Sequence, residues 1–481
     1  MMWKGLELVG VKIIFLLRML ILARLLSPDD FGLLAIAMTA IGFLLSITDF
    51  GMLPALVQRP EVLNRHYNAA WTVIVSRAAA IAALVFLSAP LIANIFNEPR
   101  AIPILQVLAL RPLLEAAASI RVADLMRDLK FRPLALIKLS EGMLNTIIAI
   151  ILARYFGVWA LVFGALSGAT AYLIMSYIMA PHMPRLFIDF KSTKPLVHFG
   201  RWIFLRSLIG VAGGIILNIV ISRKLGAAQL GLYFLAARLA FLPSEVTGKV
   251  IGTVAFPLYA RIQSDVHQVA RTFRTLLTGI SALIFPIGFL LIALAPSLVH
   301  DILGPRWEGS VPVIRIIAFA SIIGLAGEII IPVFKGLGQP YKIAVSGGIQ
   351  TLGLIVFVWF LTDHFGITGA ALAWLPAIAA SQIIMVIYIH QILPRPFAGL
   401  LLTVFVVAAV SGSGAGAALI ISQLIPGLAG FITAVSSALL LIGVGLWVAD
   451  SRLELGLMDS LVKIFPQLEP FKKLRAAKAG S

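Results

Sequence analysis

Cysteine is missing from all 481 residues. That excludes disulfides, thiolate metal sites and a thiol nucleophile. Charge is scarce as well. Only 12% of residues are Asp, Glu, Lys or Arg, about half the share found in a soluble domain, so a soluble globular class is excluded. No glycine-rich loop ends in Lys-Ser or Lys-Thr, which leaves no P-loop for a nucleotide. A cleavable leader is not expected either. The first apolar run is too long for one, carries Glu7, Lys12 and Arg18, and leads straight into a second.

Apolar sequence fills the space. Hydrophobic residues make up 60% of the chain, and mean hydropathy is +1.03. Runs of about 20 apolar residues, each long enough to cross a bilayer as a helix, recur along the length. The pattern predicts an all-α integral membrane protein with about 14 transmembrane helices. The first six spans are placed at 6–26, 31–57, 68–93, 102–126, 133–153 and 157–179. The next six are at 199–222, 231–257, 270–295, 311–334, 342–362 and 366–390. The last two are at 397–422 and 427–449.

The net charge is +17. In a soluble domain that would suggest nucleic acid. Here the positive-inside rule accounts for it, and no nucleic-acid partner is expected. With the N-terminus in the cytoplasm, inside segments hold 21 Lys and Arg and outside loops hold 5. Both termini are therefore expected on the cytoplasmic side of an inner membrane.

The chain repeats itself. Leu22-Ala23-Arg24-Leu25-Leu26-Ser27-Pro28-Asp29-Asp30-Phe31-Gly32-Leu33 joins the first two spans. Ile221-Ser222-Arg223-Lys224-Leu225-Gly226-Ala227-Ala228-Gln229-Leu230-Gly231-Leu232 is a blurred copy, with Arg24, Leu26 and Gly32 aligned on Arg223, Leu225 and Gly231. Later pairs fit at larger offsets: Arg127 with Lys335, and Phe156-Gly157 with Phe365-Gly366. The drift predicts an insertion in the outer loop around His300–Gly309. Two parallel six-span repeats follow, as in many transporters. The expected division is a first lobe (1–180), a cytoplasmic linker (181–198), a second lobe (199–395), two added spans (396–449) and a basic amphipathic tail (450–481). Two readings of the tail stand: a helix on the anionic inner leaflet, or a docking segment for a partner.

The residues of the first junction resemble the signature of bacterial polysaccharide exporters. These are the Wzx-type lipid-linked oligosaccharide flippases of the multidrug/oligosaccharidyl-lipid/polysaccharide (MOP) exporter superfamily. Gly231-Leu232-Tyr233, Ala236, Phe256-Pro257 and Gln263-Ser264-Asp265 also fit that pattern. The likeness covers about 1–395 and is greatest to exporters of colanic acid, succinoglycan and similar exopolysaccharides. It implies two six-helix bundles around a V-shaped cavity, an undecaprenyl-diphosphate-linked sugar as substrate and no ATP site. A polysaccharide polymerase and export machinery are the implied partners, and a monomer is the default. One departure stands out. Leu217-Asn218-Ile219 lies where many relatives carry an acid.

Ionisable groups within spans are costly and need partners or water. Twelve of the 38 Lys and Arg residues lie there. Arg111 with Glu115, Lys138 with Glu141 and Glu245 with Lys249 stand three or four apart, so each pair can neutralise locally. Arg24, Arg121 and Arg201 lie near span ends and can snorkel. Lys12, Arg18, Arg77, Arg206, Arg238 and Arg315 have no acid at that spacing. They divide between both halves and are the candidates for a cationic path that holds a diphosphate. The opposing reading pairs each with an acid on another helix. Glu328 and Asp49 are candidate coupling groups for H+ or Na+, or else partners of an Arg. No other cofactor and no metal are expected.

Two rivals are weaker. A multidrug/cation antiporter of the same superfamily should have an acidic cavity, and here basic residues outnumber acids in the spans. A membrane polymerase or ligase needs a substantial outer site. The longest outer loop, roughly 296–310 with His300, Asp301, Arg306 and Glu308, is short for that.

Overall fold

The computed structural model describes residues 2–48, 52–58, 63–187, 211–453 and 455–464. Asp49, Arg201 and Arg206 lie outside the described residues, as do most of the linker and the basic end of the tail. Every regular element among the described residues is helical. Among the described residues, nine helices are long and apolar enough to cross a membrane, and a bent pair makes a tenth. The expected span at 199–222 lies partly outside the described residues. Contacts divide the chain into two compact units, Met1–Phe234 and Leu235–Ser481.

In the first unit, α1 (Met2–Leu25) and α2 (Pro28–Thr48) meet at the signature turn. Its residues explain the turn. Ser27 is the N-cap, and its Oγ accepts from Asp30 N at 3.3 Å. Asp30 Oδ2 in return accepts from Ser27 N at 2.9 Å and Ser27 Oγ at 2.7 Å. This is a capping box with Pro28 at the first helical position. Asp29 pairs with Arg100 at 2.5 Å, and Arg100 also holds Glu98 at 2.6 Å; together the two carboxylates keep the guanidinium charged.

The repeated glycines have a shared purpose. A Cβ on Gly32 would lie 1.8 Å from Ala227 O, and one on Gly231 would lie 1.7 Å from Pro28 O. Each glycine thus sits on the first-turn carbonyl of the other copy, where α2 crosses α11 (Ala227–Ala240). Helix α10 (211–225) leads into α11, and Ser222 Oγ donates to Phe96 O at 2.8 Å.

Helix α3 (Met52–Gln58) is followed by α4 (Asn64–Phe96). The fourth span is broken into α5 (Ala101–Leu108), α6 (Leu110–Ala116) and α7 (Val122–Arg127). A break inside a membrane strands backbone groups that must find partners. Ser176 Oγ accepts from Ser119 N, Ala180 O from Ser119 Oγ, and Ala117 O from Tyr177 OH. Those partners come from the end of α9 (Val158–Met179), which pairs with α8 (Phe131–Phe156). Gly164 and Gly168 let the two helices approach at Asn145. After α9 the chain runs back across α4: Arg185 N donates to Asn68 Oδ1 and Phe187 N to Thr72 Oγ1.

The second unit repeats these features. After α12 (Leu242–Arg261), α13 (Val266–Ser297) continues as a π-helix to Leu303 and a 3-10 turn around the fully buried Trp307. The extra residues of this half therefore lie partly inside a helix, not only in an outer loop. A π-turn is what an insertion leaves when the flanking helix keeps its register. The tenth span is α14 (Ser310–Ile323) and α15 (Leu325–Gly336), bent by 42° at Gly324. Helix α16 (Pro340–Leu372) is interrupted at Gly366, whose φ 58 and ψ −139 nearly match the φ 52 and ψ −129 of Gly157. The two aligned glycines make the same turn. Helix α17 (Trp374–Ile392) ends the repeat. Helices α18 (Leu400–Leu424) and α19 (Gly427–Leu453) pack closely at Gly414 and Gly445. Asp450 then accepts from Leu457 N and Met458 N, capping α20 (Leu457–Ile464).

Candidate functional site

Each unit holds a cavity at the break of its fourth helix in the repeat. In the first unit it measures about 280 Å³, with Arg77, Glu115, Ser119 and Tyr172 in its wall. In the second it measures about 150 Å³, with Gln350, Glu328, Trp374, Ser381 and Gln382. At the offset of 209, Ser119 falls on Glu328 and Tyr172 on Ser381, while Glu141, outside the first cavity's wall, falls on Gln350. Equivalent positions of one repeat therefore build two cavities of different chemistry.

The first cavity adjoins a charged cluster. Arg111 Nε donates to Glu115 Oε1 at 2.8 Å, and Lys138 Nζ to Glu141 Oε2 at 2.9 Å. Both pairs are those that spacing predicted. Lys138 Nζ also stands 4.4 Å from the Tyr172 ring centroid. Arg18 is close enough to Arg111 for the two charges to oppose each other, and Arg111 Nη1 reaches Met38 Sδ at 3.7 Å. Arg18, Arg77, Arg111 and Lys138 thus gather with Glu115 and Glu141 within apolar helices.

Of the six cationic candidates, Arg18 belongs to this cluster and Arg77 to the cavity wall. Arg77 Nη1 also donates to Thr48 O of α2 at 2.8 Å. Lys12 lies on α1 with its Nζ 6.0 Å from the Phe15 ring centroid. Arg238 is exposed on α11 and engages neighbouring groups. Arg315 Nε donates to Ile292 O at 3.0 Å. That carbonyl would normally accept from residue 296, which is a proline without an N–H. Arg315 thus fills the vacancy left by Pro296. Asn218, at the departure from the exporters' acidic position, donates to Thr39 Oγ1 at 2.8 Å, a neutral bond within the first unit.

In the second cavity, Glu328 Oε2 occupies space left by Gly248, where a Cβ would lie 2.8 Å away. Lys335, two turns along α15, reaches it electrostatically. Gln382 Oε1 is buried and has no hydrogen-bond donor among the described residues. The sequence pattern singled out Glu328 but not Gln382, Gln350 or Tyr172. The repeat offset was the signal that links them.

The sequence profile of the polysaccharide biosynthesis protein family matches residues 21–312. The chain is 24% identical over 406 residues to the lipopolysaccharide biosynthesis protein WzxC of Escherichia coli (strain K12), covering 82% of this chain and 80% of that protein. It is 28% identical over 360 residues to the succinoglycan biosynthesis transport protein ExoT of Rhizobium meliloti (strain 1021), covering 73% and 68%. Among solved structures, the lipid II flippase MurJ in an inward closed conformation aligns with a TM-score of 0.75 at 15% identity, over 94% of this chain and all of that one. An inward-facing MATE family multidrug resistance transporter of the MOP superfamily aligns with a TM-score of 0.62 at 14% identity, over 79% and 94%. The fold is that of these multi-pass membrane transporters.

Proposed function

Because the chain belongs to the polysaccharide biosynthesis protein family, we propose that it carries undecaprenyl-diphosphate-linked oligosaccharide units across a bacterial inner membrane by alternating access. It acts as a transporter and not as an enzyme. The observation that carries the reading is the basic cluster of Arg18, Arg77, Arg111 and Lys138 beside a cavity in apolar helices. A diphosphate is the only dense charge of such a substrate, and guanidinium groups hold phosphate oxygens in pairs. Basic residues outnumber acids within the expected spans, whereas the cavity of a drug/cation antiporter should be acidic.

In this reading fourteen spans form two six-helix lobes around a V-shaped cavity, with two added helices beyond them. Both termini face the cytoplasm and the carrier works as a monomer beside a polysaccharide polymerase and export machinery. The sugars occupy the hydrated lumen while the prenyl chain stays in lipid. Glu328 is the coupling group. Its carboxylate shares a cavity with the unsatisfied Gln382 carbonyl, and two acceptors together call for a proton or Na+ between them.

The test is substrate location. Lipids are extracted from inverted and right-side-out membranes of a strain lacking the gene. The expected result is build-up of lipid-linked oligosaccharide on the cytoplasmic face, relieved by the wild-type gene and not by Arg18→Glu at equal membrane abundance. Normal transfer to the outer face without polymer would place the protein at a later step. Full export by Arg18→Glu together with Arg77→Gln would remove the cationic path.

A further inference from the structure

A volume of about 280 Å³ is at the low end of small-molecule sites, roughly 300–1,000 Å³. It has room for one sugar ring and not for an oligosaccharide. Of the four basic groups nearby, Arg111 is engaged by Glu115 and Lys138 by Glu141. Among the described residues, Arg77 and Glu115 are the charged groups in the wall itself. Arg111 takes Glu115 Oε1, which fixes the carboxylate and leaves Oε2 open to a further donor. Tyr172 is held by Lys138 over its ring, so an aromatic surface of set orientation completes the wall.

We propose that this cavity seats the single sugar ring bonded to the diphosphate, and that Glu115 makes it select a neutral ring over one bearing a carboxylate. The inference rests on the reading of the chain as a carrier of diphosphate-linked sugars. The phosphates draw on the guanidinium side of the wall. What remains for the ring is a carboxylate oxygen that accepts from hydroxyls and an aromatic surface that covers C–H bonds. A ring carboxylate would instead meet Glu115 as a like charge, which is disfavoured.

The experiment uses the full chain in lipid nanodiscs and three probes: farnesyl diphosphate, and its glucosyl and glucuronosyl derivatives. The wild type should bind the glucosyl probe about tenfold more tightly than the glucuronosyl one, a difference of about 1.4 kcal/mol. Glu115→Gln should level or reverse that ratio, because Arg111 is then unopposed. Tyr172→Leu should lower the glucosyl probe toward the bare diphosphate. Each ratio is taken within one variant whose melting temperature is checked first. Equal binding of both sugar probes by the wild type, or a ratio that survives Glu115→Gln, overturns the selection. If the bare diphosphate binds but neither sugar adds affinity, the subsite fails and the carrier reading stands. If no probe binds, both fail together.

Discussion

Gly32 and Gly231 offer the sharpest test of how the repeated turn is built. A methyl on Gly32 would lie 1.8 Å from Ala227 O, and one on Gly231 would lie 1.7 Å from Pro28 O. A comfortable carbon–oxygen contact is about 3.4 Å, so α2 and α11 must part by roughly 1.5 Å at their first turns. Overpacking of that kind costs about 1–3 kcal/mol, and the lost Cα–H···O contacts add about 0.5–1 each. Gly32→Ala or Gly231→Ala alone should therefore destabilise by about 2–4 kcal/mol. Both methyls demand the same separation, so once the helices have moved for the first, the second adds little. The double variant should cost nearly what either single one does, a coupling of about 2–4 kcal/mol. Equilibrium unfolding in mixed micelles measures all three. Single costs below about 0.5 kcal/mol, or a double variant equal to the sum of its parts, would refute the shared contact.

Arg315 and Pro296 form a second cycle. Arg315→Gln should cost about 1–2 kcal/mol in the wild type, where Ile292 O depends on it. It should cost far less with Pro296→Ala, because the restored N–H serves that carbonyl; an unchanged cost in the proline-free background would refute the assignment. His182 supplies a pH test on the segment that crosses α4. Burial and Arg121 lower its pKa from the ordinary value, against the pull of Asp124, and its Nε2 has no partner among the described residues. The folded state thus keeps it neutral, while the unfolded state binds a proton near the ordinary value. The stability it contributes is present at neutral pH and is lost as pH falls through the folded value. Hydrogen exchange at Arg185 and Phe187 should lose protection as pH falls below the ordinary imidazole range, and His182→Gln should flatten that profile. The same profile in both proteins would clear His182 of the role.

Much of the repeat was legible because glycine at a required backbone geometry leaves a mark. Gly157 and Gly366 were aligned by a two-residue match and adopt the same left-handed φ. The ion pairs of Arg111 and Lys138 followed from helical spacing alone. The breaks in the fourth and tenth spans did not, since hydropathy stays high through Ala116–Ile120 and through Gly324. Their backbone groups are satisfied from another helix, by Ser176 and Ala180 in the first unit, and no local signal reports that. Arg315 read as a cavity cation because its partner is a carbonyl orphaned 23 residues earlier by a proline. The cavities were unreadable for a similar reason. Tyr172 and Glu115 are 57 positions apart, and only the packing of α6 on α9 brings them to one wall.

The broken helices have a mechanical meaning. An intact helix is a stiff rod that passes a load from end to end. The joints at Ala117–Arg121 and at Gly324 are compliant, so strain applied at either end of these spans collects there first. Each cavity is lined by the residues of its joint. A molecule lodged in the cavity is then a splint, bracing a place where the unit can flex. Occupancy and stiffness become the same variable, and a loaded unit should vibrate less at its joint than an empty one.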